Sequence, residues 1–402
     1  MTQLSLARWT KTIQRSAMQD MLELAQPDVI SFTLGFPAAE LFPVQEYGVA
    51  LHQVLTTNTL ALQYNPPPLT VKEEIVKLMA LRGLTCRTEQ IFLTTGAQQG
   101  LALLTRLLVN PGDEVLVEAS CYPGFKQVLD TLSPKILTVS TDPQTGIDVD
   151  AVEHLLKTGH RPTLLYLVPE GHNPLSMNIS REKRQRLVML AREYRMPILE
   201  DDPYGMLYYD YQPDPPLCAL DPEWVFYIGT FSKILAPAAR VGWLVIPEPL
   251  IPLLAALKES SDINTTTLTQ RAVGAYLATQ HHTEHIARLR TEYSARRDTM
   301  LESIAEYFPH NIQWHIPNCG FFLWVELPKE IDTGKLLKAA IQQAQVAFIP
   351  GHAFNAHDTA TPIPNANCMR LSFSNSPPEK ILEGMQRLGS LIGKDIARYS
   401  RA

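Results

Sequence analysis

Between residues 90 and 246 the hydrophobic and polar positions of the chain switch repeatedly between two textures. Short apolar runs of strand length read "QIFLTT" (90–95), "DEVLVEA" (113–119), "KILTVS" (135–140), "PTLLYLVP" (162–169), "MPILEDD" (196–202), "WVFYI" (224–228) and "VGWLVI" (241–246). Most of the intervals carry apolar residues at three- and four-residue spacing: "QQGLALLTRLLV" (98–109), "GFKQVLDTL" (124–132), "VDAVEHLLKT" (149–158) and "SREKRQRLVMLAREYR" (180–195), the last with Ser180 at the cap position. Strand and helix in alternation predict crossover units, and therefore an α/β fold with a mostly parallel sheet covered by helices on both faces.

After about residue 285 the texture changes. A long helical pattern (283–308) leads to "GFFLWVELP", "GKLLKAAIQQAQ", "VAFIPG" and "MRLSFS", which reads as a smaller α+β domain. The expected division is an N-terminal arm with part of the small domain (1–45), a large domain (46–285) and a small C-terminal domain (286–402). A chain of 402 residues is long enough for that. Its net charge of −6 and lack of basic runs give no reason to expect nucleic acid. There is no run of eighteen apolar residues, so no membrane helix is expected. The amphipathic stretch "IQRSAMQDMLELA" near the N-terminus is expected to be an arm of the folded protein. Five scattered cysteines, never spaced C-x-x-C, argue against a disulfide framework or a zinc site and fit a reducing cytoplasm.

In parallel α/β sheets ligands bind beyond the C-terminal ends of the strands. Those ends carry, in order, Gly96-Ala97-Gln98 opening a helix, Ser120-Cys121-Tyr122, His172-Asn173-Pro174, Asp201-Asp202-Pro203-Tyr204, and Thr230, Ser232 and Lys233, with Arg240 seven positions on. Each is ordinary alone; a lysine after a strand is usually a surface lysine. Together they supply what pyridoxal 5′-phosphate needs. An amine can form a Schiff base, and a carboxylate can keep the pyridine nitrogen protonated. An aromatic ring can stack on the cofactor, while hydroxyls, an arginine and a helix N-terminus hold its phosphate.

The chain resembles the fold-type I pyridoxal-phosphate enzymes, in the class I/II aminotransferase family. In texture it is nearest the α-aminoadipate and kynurenine aminotransferases and the aminotransferase-like domains of MocR regulators. The resemblance rests on "SFTLGFPAAELFP" (31–43), "ALQYNP" (61–66), "LTTGAQQGL" (93–101), "VEASCYPG" (117–124), "HNP" (172–174), "LEDDPYGMLYY" (199–209), "GTFSKILAPAARVGW" (229–243), "NCGFFLWVELP" (318–328), "VAFIPG" (346–351) and "MRLSFS" (369–374). It implies a seven-stranded type of sheet in the large domain. It implies Lys233 as the Schiff-base lysine and proton shuttle, and Asp201 rather than Asp202 as the partner of the ring nitrogen. Tyr204 and Asn173 would bond the ring O3′, with Tyr122 stacked on the ring. Ala97, Gln98, Ser232, Arg240 and Thr230 would hold the phosphate. Arg370 would clamp the substrate carboxylate beside Asn173 and Gly35. Tyr64 would reach the cofactor of a second subunit, which implies a homodimer with shared sites.

Three departures from the family pattern stand out. The family's Asn-Pro-Thr-Gly reads Asn173-Pro174-Leu175-Ser176 here. Pro66, Pro67 and Pro68 replace a glycine-containing loop after Tyr64, and Leu34 precedes Gly35. The expected activity is transfer of an amino group from an α-amino acid to a 2-oxo acid. The alternatives are a lyase or cyclase using the same lysine and carboxylate, or a non-catalytic cofactor-binding regulator; the last needs a DNA-binding domain for which no room is expected. Gln19 stands where acid-selective relatives carry an arginine. With Leu34, that favours an apolar, aromatic or polar neutral side chain on the substrate.

Overall fold

The structure, a computed structural model, describes residues 5–11, 28–356 and 363–399. Its centre is a seven-stranded sheet: β1 (Ile91–Thr94), β2 (Glu114–Glu118), β3 (Lys135–Val139), β4 (Leu164–Leu167), β5 (Ile198–Asp201), β6 (Val225–Thr230) and β7 (Gly242–Val245). The order across the sheet is β1-β7-β6-β5-β4-β2-β3. Only β7 runs antiparallel to its neighbours; the pairs β2/β3, β2/β4, β4/β5 and β5/β6 are parallel. All seven strands coincide with apolar runs in the sequence. β1, β4, β5, β6 and β7 are buried at every position, as expected for strands covered on both faces.

The intervening helices include Ala97–Leu108, Pro123–Asp130, Val149–Lys157 and Arg181–Tyr194. Asp148 caps its helix by accepting from Ala151 N–H at 3.0 Å. Ser180 occupies the corresponding N-cap position, but its hydroxyl makes no cap bond.

A second sheet of four strands follows the 27-residue helix His281–Tyr307. It comprises β8 (Gln313–Trp314), β9 (Phe322–Glu326), β10 (Ile349–Pro350) and β11 (Cys368–Ser372), in the order β8-β9-β11-β10. The segment near residue 30 joins this part of the molecule: Ile30 and Ser31 pair in parallel with Val346 and Ala347. Phe32 O accepts from Ser372 N–H at 2.9 Å.

Candidate active site

The strand ends that the sequence singled out converge. β5 ends on Asp201 and β6 on Thr230, while β7 begins at this same end with Gly242. Gly242 pairs with both Thr94 and Thr230. A Cβ there would lie 2.7 Å from Gly96 C and 2.9 Å from Gly229 O, so only glycine lets the three backbones meet. Gly96 itself has φ +79°, and a Cβ on it would stand 2.6 Å from Arg240 Nη2. Arg240 therefore lies against the bare Cα that opens the helix Ala97–Leu108, and it donates to Thr95 O at 3.0 Å. On the other side Thr230 Oγ1 donates to Ser232 Oγ at 3.0 Å and accepts from Ser232 N–H at 3.1 Å. Free N–H groups of a helix start, a guanidinium and two hydroxyls make an anion cradle.

Lys233 is partly buried, and its Nζ donates to Gly35 O at 2.8 Å. Burial pulls the amine from its usual range down to about 8; Arg370 and Arg240 add to the fall and Asp201 opposes it. Asp201 is 4% exposed. Its Oδ2 accepts from the Tyr166 hydroxyl at 2.9 Å, whereas its Oδ1 is buried with no hydrogen-bond partner. Burial lifts this carboxyl to about 7, with Asp202 pushing the same way and Tyr166 and Lys233 pulling back. An orphaned buried carboxylate oxygen calls for a donor, and the protonated ring nitrogen of pyridoxal phosphate is one.

The neighbouring Asp202 is fully engaged elsewhere. Its Oδ1 accepts from Gly205 N–H at 2.6 Å, and its Oδ2 accepts from the Tyr227 hydroxyl at 3.1 Å and from Arg82 Nη2 at 3.3 Å. It shapes the turn that carries Tyr204. A Cβ on Gly205 would strike Arg82 Nη2 at 2.6 Å.

Tyr122 folds over the glycine two residues on: a Cβ on Gly124 would lie 2.4 Å from its ring. Gln98 Nε2 donates to Gly124 O at 2.7 Å, tying the tyrosine loop to the anion cradle. Burial raises the Tyr122 hydroxyl to about 12 and lifts that of Tyr204 further still.

Arg370, on β11, is 2% exposed. Its Nη1 donates to Asn173 Oδ1 at 2.7 Å and its Nη2 to Thr33 O. The guanidinium carbon sits 4.0 Å from the Phe322 ring centroid and 4.8 Å from that of Phe354. Burial lowers this group to about 10 against the pull of Tyr204 and Tyr122. Gly35 lies close by, since a Cβ on it would meet Phe322 Cζ at 2.4 Å.

The structure thus gathers Lys233, Asp201, Tyr204, Asn173, Tyr122, Gly35 and Arg370 at one end of the sheet, with Ala97, Gln98, Thr230, Ser232 and Arg240 beside them. Tyr64 is 73% exposed, on a segment that runs along the surface. Gln19 lies outside the described residues. Sequence reasoning missed Tyr166 and Phe322. Tyr166 announces itself only as the one polar-tipped residue within an apolar strand, and Phe322 lies in the run "NCGFFLWVELP" with nothing there to pair its ring with Arg370.

The family model for aminotransferase class I and II matches residues 27–388. The chain belongs to the class I and II aminotransferases. Aromatic-amino-acid aminotransferase 1 of Thermococcus litoralis is 35% identical over 396 residues, covering 96% of this chain and 93% of its own. The kynurenine aminotransferase of Pyrococcus horikoshii, solved with PMP, superposes with a TM-score of 0.90 at 33% identity, covering 97% of each chain. The α-aminoadipate aminotransferase of Thermus thermophilus, complexed with N-(5′-phosphopyridoxyl)-L-leucine, gives 0.89 at 31%, covering 98% of each chain. This aminotransferase therefore uses pyridoxal 5′-phosphate to move amino groups between amino acids and 2-oxo acids. Among the described residues no helix is long and apolar enough to cross a membrane.

Proposed function

We propose that Lys233 carries the cofactor, that Asp201 pairs with its ring nitrogen, and that Arg370 receives the α-carboxylate of an amino acid whose side chain is apolar or aromatic. The free Oδ1 of Asp201, within reach of the charge on Lys233, carries this reading. Bound pyridoxal phosphate supplies an aldehyde and an electron-withdrawing ring. The protein's own residues do the rest. Asp201 holds a proton on the ring nitrogen, and Tyr204 and Asn173 hold the ring oxygen. Tyr122 covers a ring face. Ala97, Gln98, Ser232 and Arg240, with Thr230 behind Ser232, hold the phosphate. Lys233, whose amine is lowered to about 8, would take the proton from the substrate α-carbon and return it to the carbon on the far side of the nitrogen, two atoms along.

The apolar surroundings of Lys233 and Arg370 support the substrate class. Lys233 Nζ lies 5.9 Å from the Phe321 ring centroid, and Phe322 and Phe354 pack on Arg370. Among the described residues the guanidinium groups acting on Lys233 are Arg370 and Arg240, and both already have an anion to hold. The aromatic and kynurenine names of two relatives agree with this, whereas the α-aminoadipate name of the third is that of a dicarboxylic amino acid.

The same proposal includes a homodimer. Tyr64, Leu60, Leu62 and Leu69 form an exposed apolar run that suits burial against a second copy. It includes a cytoplasmic location, supported by five free, buried cysteines. It also keeps the division into 1–45, 46–285 and 286–402, supported by the four-stranded sheet of residues 313–372 and by the pairing of residues 30–31 with 346–347.

The test is to mix the holoenzyme with a panel of amino acids and follow the cofactor spectrum. Fast conversion to the pyridoxamine form by aromatic or aliphatic amino acids, with slow conversion by aspartate and glutamate, is expected. Preferential conversion by the dicarboxylic acids would overturn the substrate class. Release of ammonia and a 2-oxo acid, without pyridoxamine, would favour a lyase.

A further inference from the structure

Behind the anion cradle lies a bonded network that no contact with cofactor or substrate calls for. Lys258, 6% exposed, projects from the helix Ile251–Asp262. Its Nζ donates to both carboxylate oxygens of Asp262, at 2.8 and 2.9 Å, and to Gln99 Oε1 at 2.6 Å. Gln99 Oε1 also accepts from Thr95 N–H at 2.8 Å, and Gln99 Nε2 donates to Asp262 Oδ2 at 2.6 Å. The Thr95 hydroxyl donates to that same Oδ2 at 2.8 Å and meets the Thr265 hydroxyl at 3.0 Å. The Thr95 carbonyl is the acceptor for Arg240 Nη2. Every polar group of Thr95 is therefore fixed, and both its N–H and its hydroxyl are tied back to Lys258 and Asp262.

The same helix end reaches a second segment. Asn264 Nδ2 donates to Asn65 O at 3.2 Å, next to Tyr64. Between Asp262 and Asn264 stands Ile263 with φ +64°, a conformation that a β-branched residue adopts only when its surroundings impose it. Lys258 is buried but Asp262 stands at the surface; an ion pair with a solvated member adds little to stability, so stability alone does not account for a charged lysine here. Orientation does.

We propose that Lys258 and Asp262 are positioning residues for the cofactor phosphate: they fix Thr95, and through it Arg240 and the helix start at Gly96–Gln98. This rests on the reading of that cradle as the phosphate site. Thr95 sits immediately before the glycine whose positive φ turns the chain into the helix. A small rotation at Thr95 would move both the N–H groups and the Arg240 acceptor.

The test measures binding to the apoenzyme by fluorescence quenching, with three probes: pyridoxal phosphate, inorganic phosphate as its competitor, and pyridoxal lacking the phosphate. The variants are Lys258→Met, Lys258→Arg, Asp262→Asn, Arg240→Gln and the double variant Lys258→Met/Arg240→Gln. Lys258→Met and Asp262→Asn should each weaken pyridoxal phosphate and inorganic phosphate by about tenfold and leave pyridoxal unchanged. Lys258→Arg should restore most of the loss. The double variant should bind little worse than Arg240→Gln, because coupled sites lose non-additively. Lys258→Met and Asp262→Asn binding as the parent does, while Arg240→Gln binds weakly, would overturn the positioning role and leave the cradle standing. Equal weakening of all three probes, or losses that multiply in the double variant, would reduce the pair to general support of the fold and overturn the proposal. Unchanged phosphate affinity in Arg240→Gln would overturn the cradle reading itself.

Discussion

Arg370 Nη1 donates to Asn173 Oδ1 at 2.7 Å, and this bond joins the four-stranded sheet to the loop after β4. The guanidinium packs against two phenylalanine rings and donates to Asn173 and the Thr33 carbonyl. It is oriented before any ligand arrives, and the cost of fixing a long side chain is met in the folding of the protein rather than at binding.

Truncating Arg370 removes one side of a charged pair in a buried pocket, a loss of about 2–5 kcal/mol. Arg370→Ala should raise KM for every amino donor, whereas pyridoxal phosphate should bind as before. Lysine cannot bond Asn173 and a carboxylate with the same planar fork, so Arg370→Lys should recover only a small part. Steady-state kinetics together with a cofactor titration separate the two effects. An unchanged KM for all donors would remove Arg370 from the carboxylate site.

Lys233 gives a pH prediction. A lysine amine ordinarily titrates near 10.5, and here burial and two arginines bring it to about 8. The neutral amine is the nucleophile, so the fraction able to react rises as pH increases through 8 and is nearly complete above it. The rate at which apoenzyme captures pyridoxal phosphate should climb from pH 6 and level off above 8, followed by stopped-flow absorbance. Borohydride fixation and peptide mapping should place the pyridoxyl mass on Lys233. A midpoint near 10 would mean that neither burial nor the arginines act on this amine.

Asp201 and Asp202 should fail in different ways. Asp201→Ala removes the buried acceptor for the ring nitrogen and should cost roughly a hundredfold or more in rate. Asp202→Ala leaves Arg82 beside the buried Glu170 without its second partner and breaks the turn at Gly205. Breaking a buried pair in this way destabilises by about 3–5 kcal/mol. Thermal melting should therefore single out Asp202, and turnover at saturating cofactor should single out Asp201. A larger loss of turnover in Asp202→Ala would reverse the assignment.

The strand-end groups could be read from the sequence because a parallel sheet aligns the C-terminal ends of its strands. Once the apolar runs are placed, Asp201, Asn173, Tyr122 and Lys233 must lie on one side of the sheet. The partners of those groups were not legible. Tyr166 reaches Asp201 from within β4, and Phe322 reaches Arg370 across a strand pair; both depend on side-chain direction and on contacts remote in sequence. Lys258 and Asp262 sit on a helix whose pattern is that of any solvated face, four residues apart. Their meaning appears only when Gln99 and Thr95 are seen between them.

Ser176 shows how one departure from the family pattern is absorbed. It occupies the place of the family's glycine and keeps a left-handed backbone, with φ +61°. Its N–H donates to His172 O at 2.6 Å and its hydroxyl to Phe322 O at 2.7 Å. A non-glycine residue in this region costs about 1–2 kcal/mol, and a hydrogen bond returns about 0.5–1.5 kcal/mol. Ser176→Ala keeps the strain, loses the bond and leaves a buried carbonyl short of a donor; it should be about 1 kcal/mol less stable. Ser176→Gly loses the bond and the strain together and should stay close to the parent in chemical denaturation. An alanine variant as stable as the glycine variant would show that the hydroxyl bond contributes nothing.

The exposed phenol of Tyr64 leads to the last prediction. Within one chain its ring is 73% exposed on a segment flanked by Leu60, Leu62 and Leu69, each more than half exposed. Its backbone is nevertheless well held: Tyr64 N–H donates to Gln63 Oε1 at 2.9 Å, Asn65 Nδ2 donates to Leu60 O at 2.9 Å, and Asn264 fixes Asn65 O. Pro66 to Pro68 follow, restricting φ and lacking N–H donors. An ordered segment that presents apolar side chains and a phenol to solvent suits a partner better than water. If two copies meet there and each Tyr64 serves the other's phosphate, Tyr64→Phe weakens the site of the opposite chain, whereas Lys233→Ala destroys the site of its own chain. Subunits carrying one change each would then form mixed dimers with one site damaged in both respects and one site intact. Co-incubating the two variants under exchange conditions should restore up to about half of the parental activity per mixed dimer, above the sum of the parents assayed apart. The loss in Tyr64→Phe should appear mainly as weaker cofactor binding. A fully active monomer by sedimentation, or no gain of activity on proven subunit exchange, would rule out the shared site.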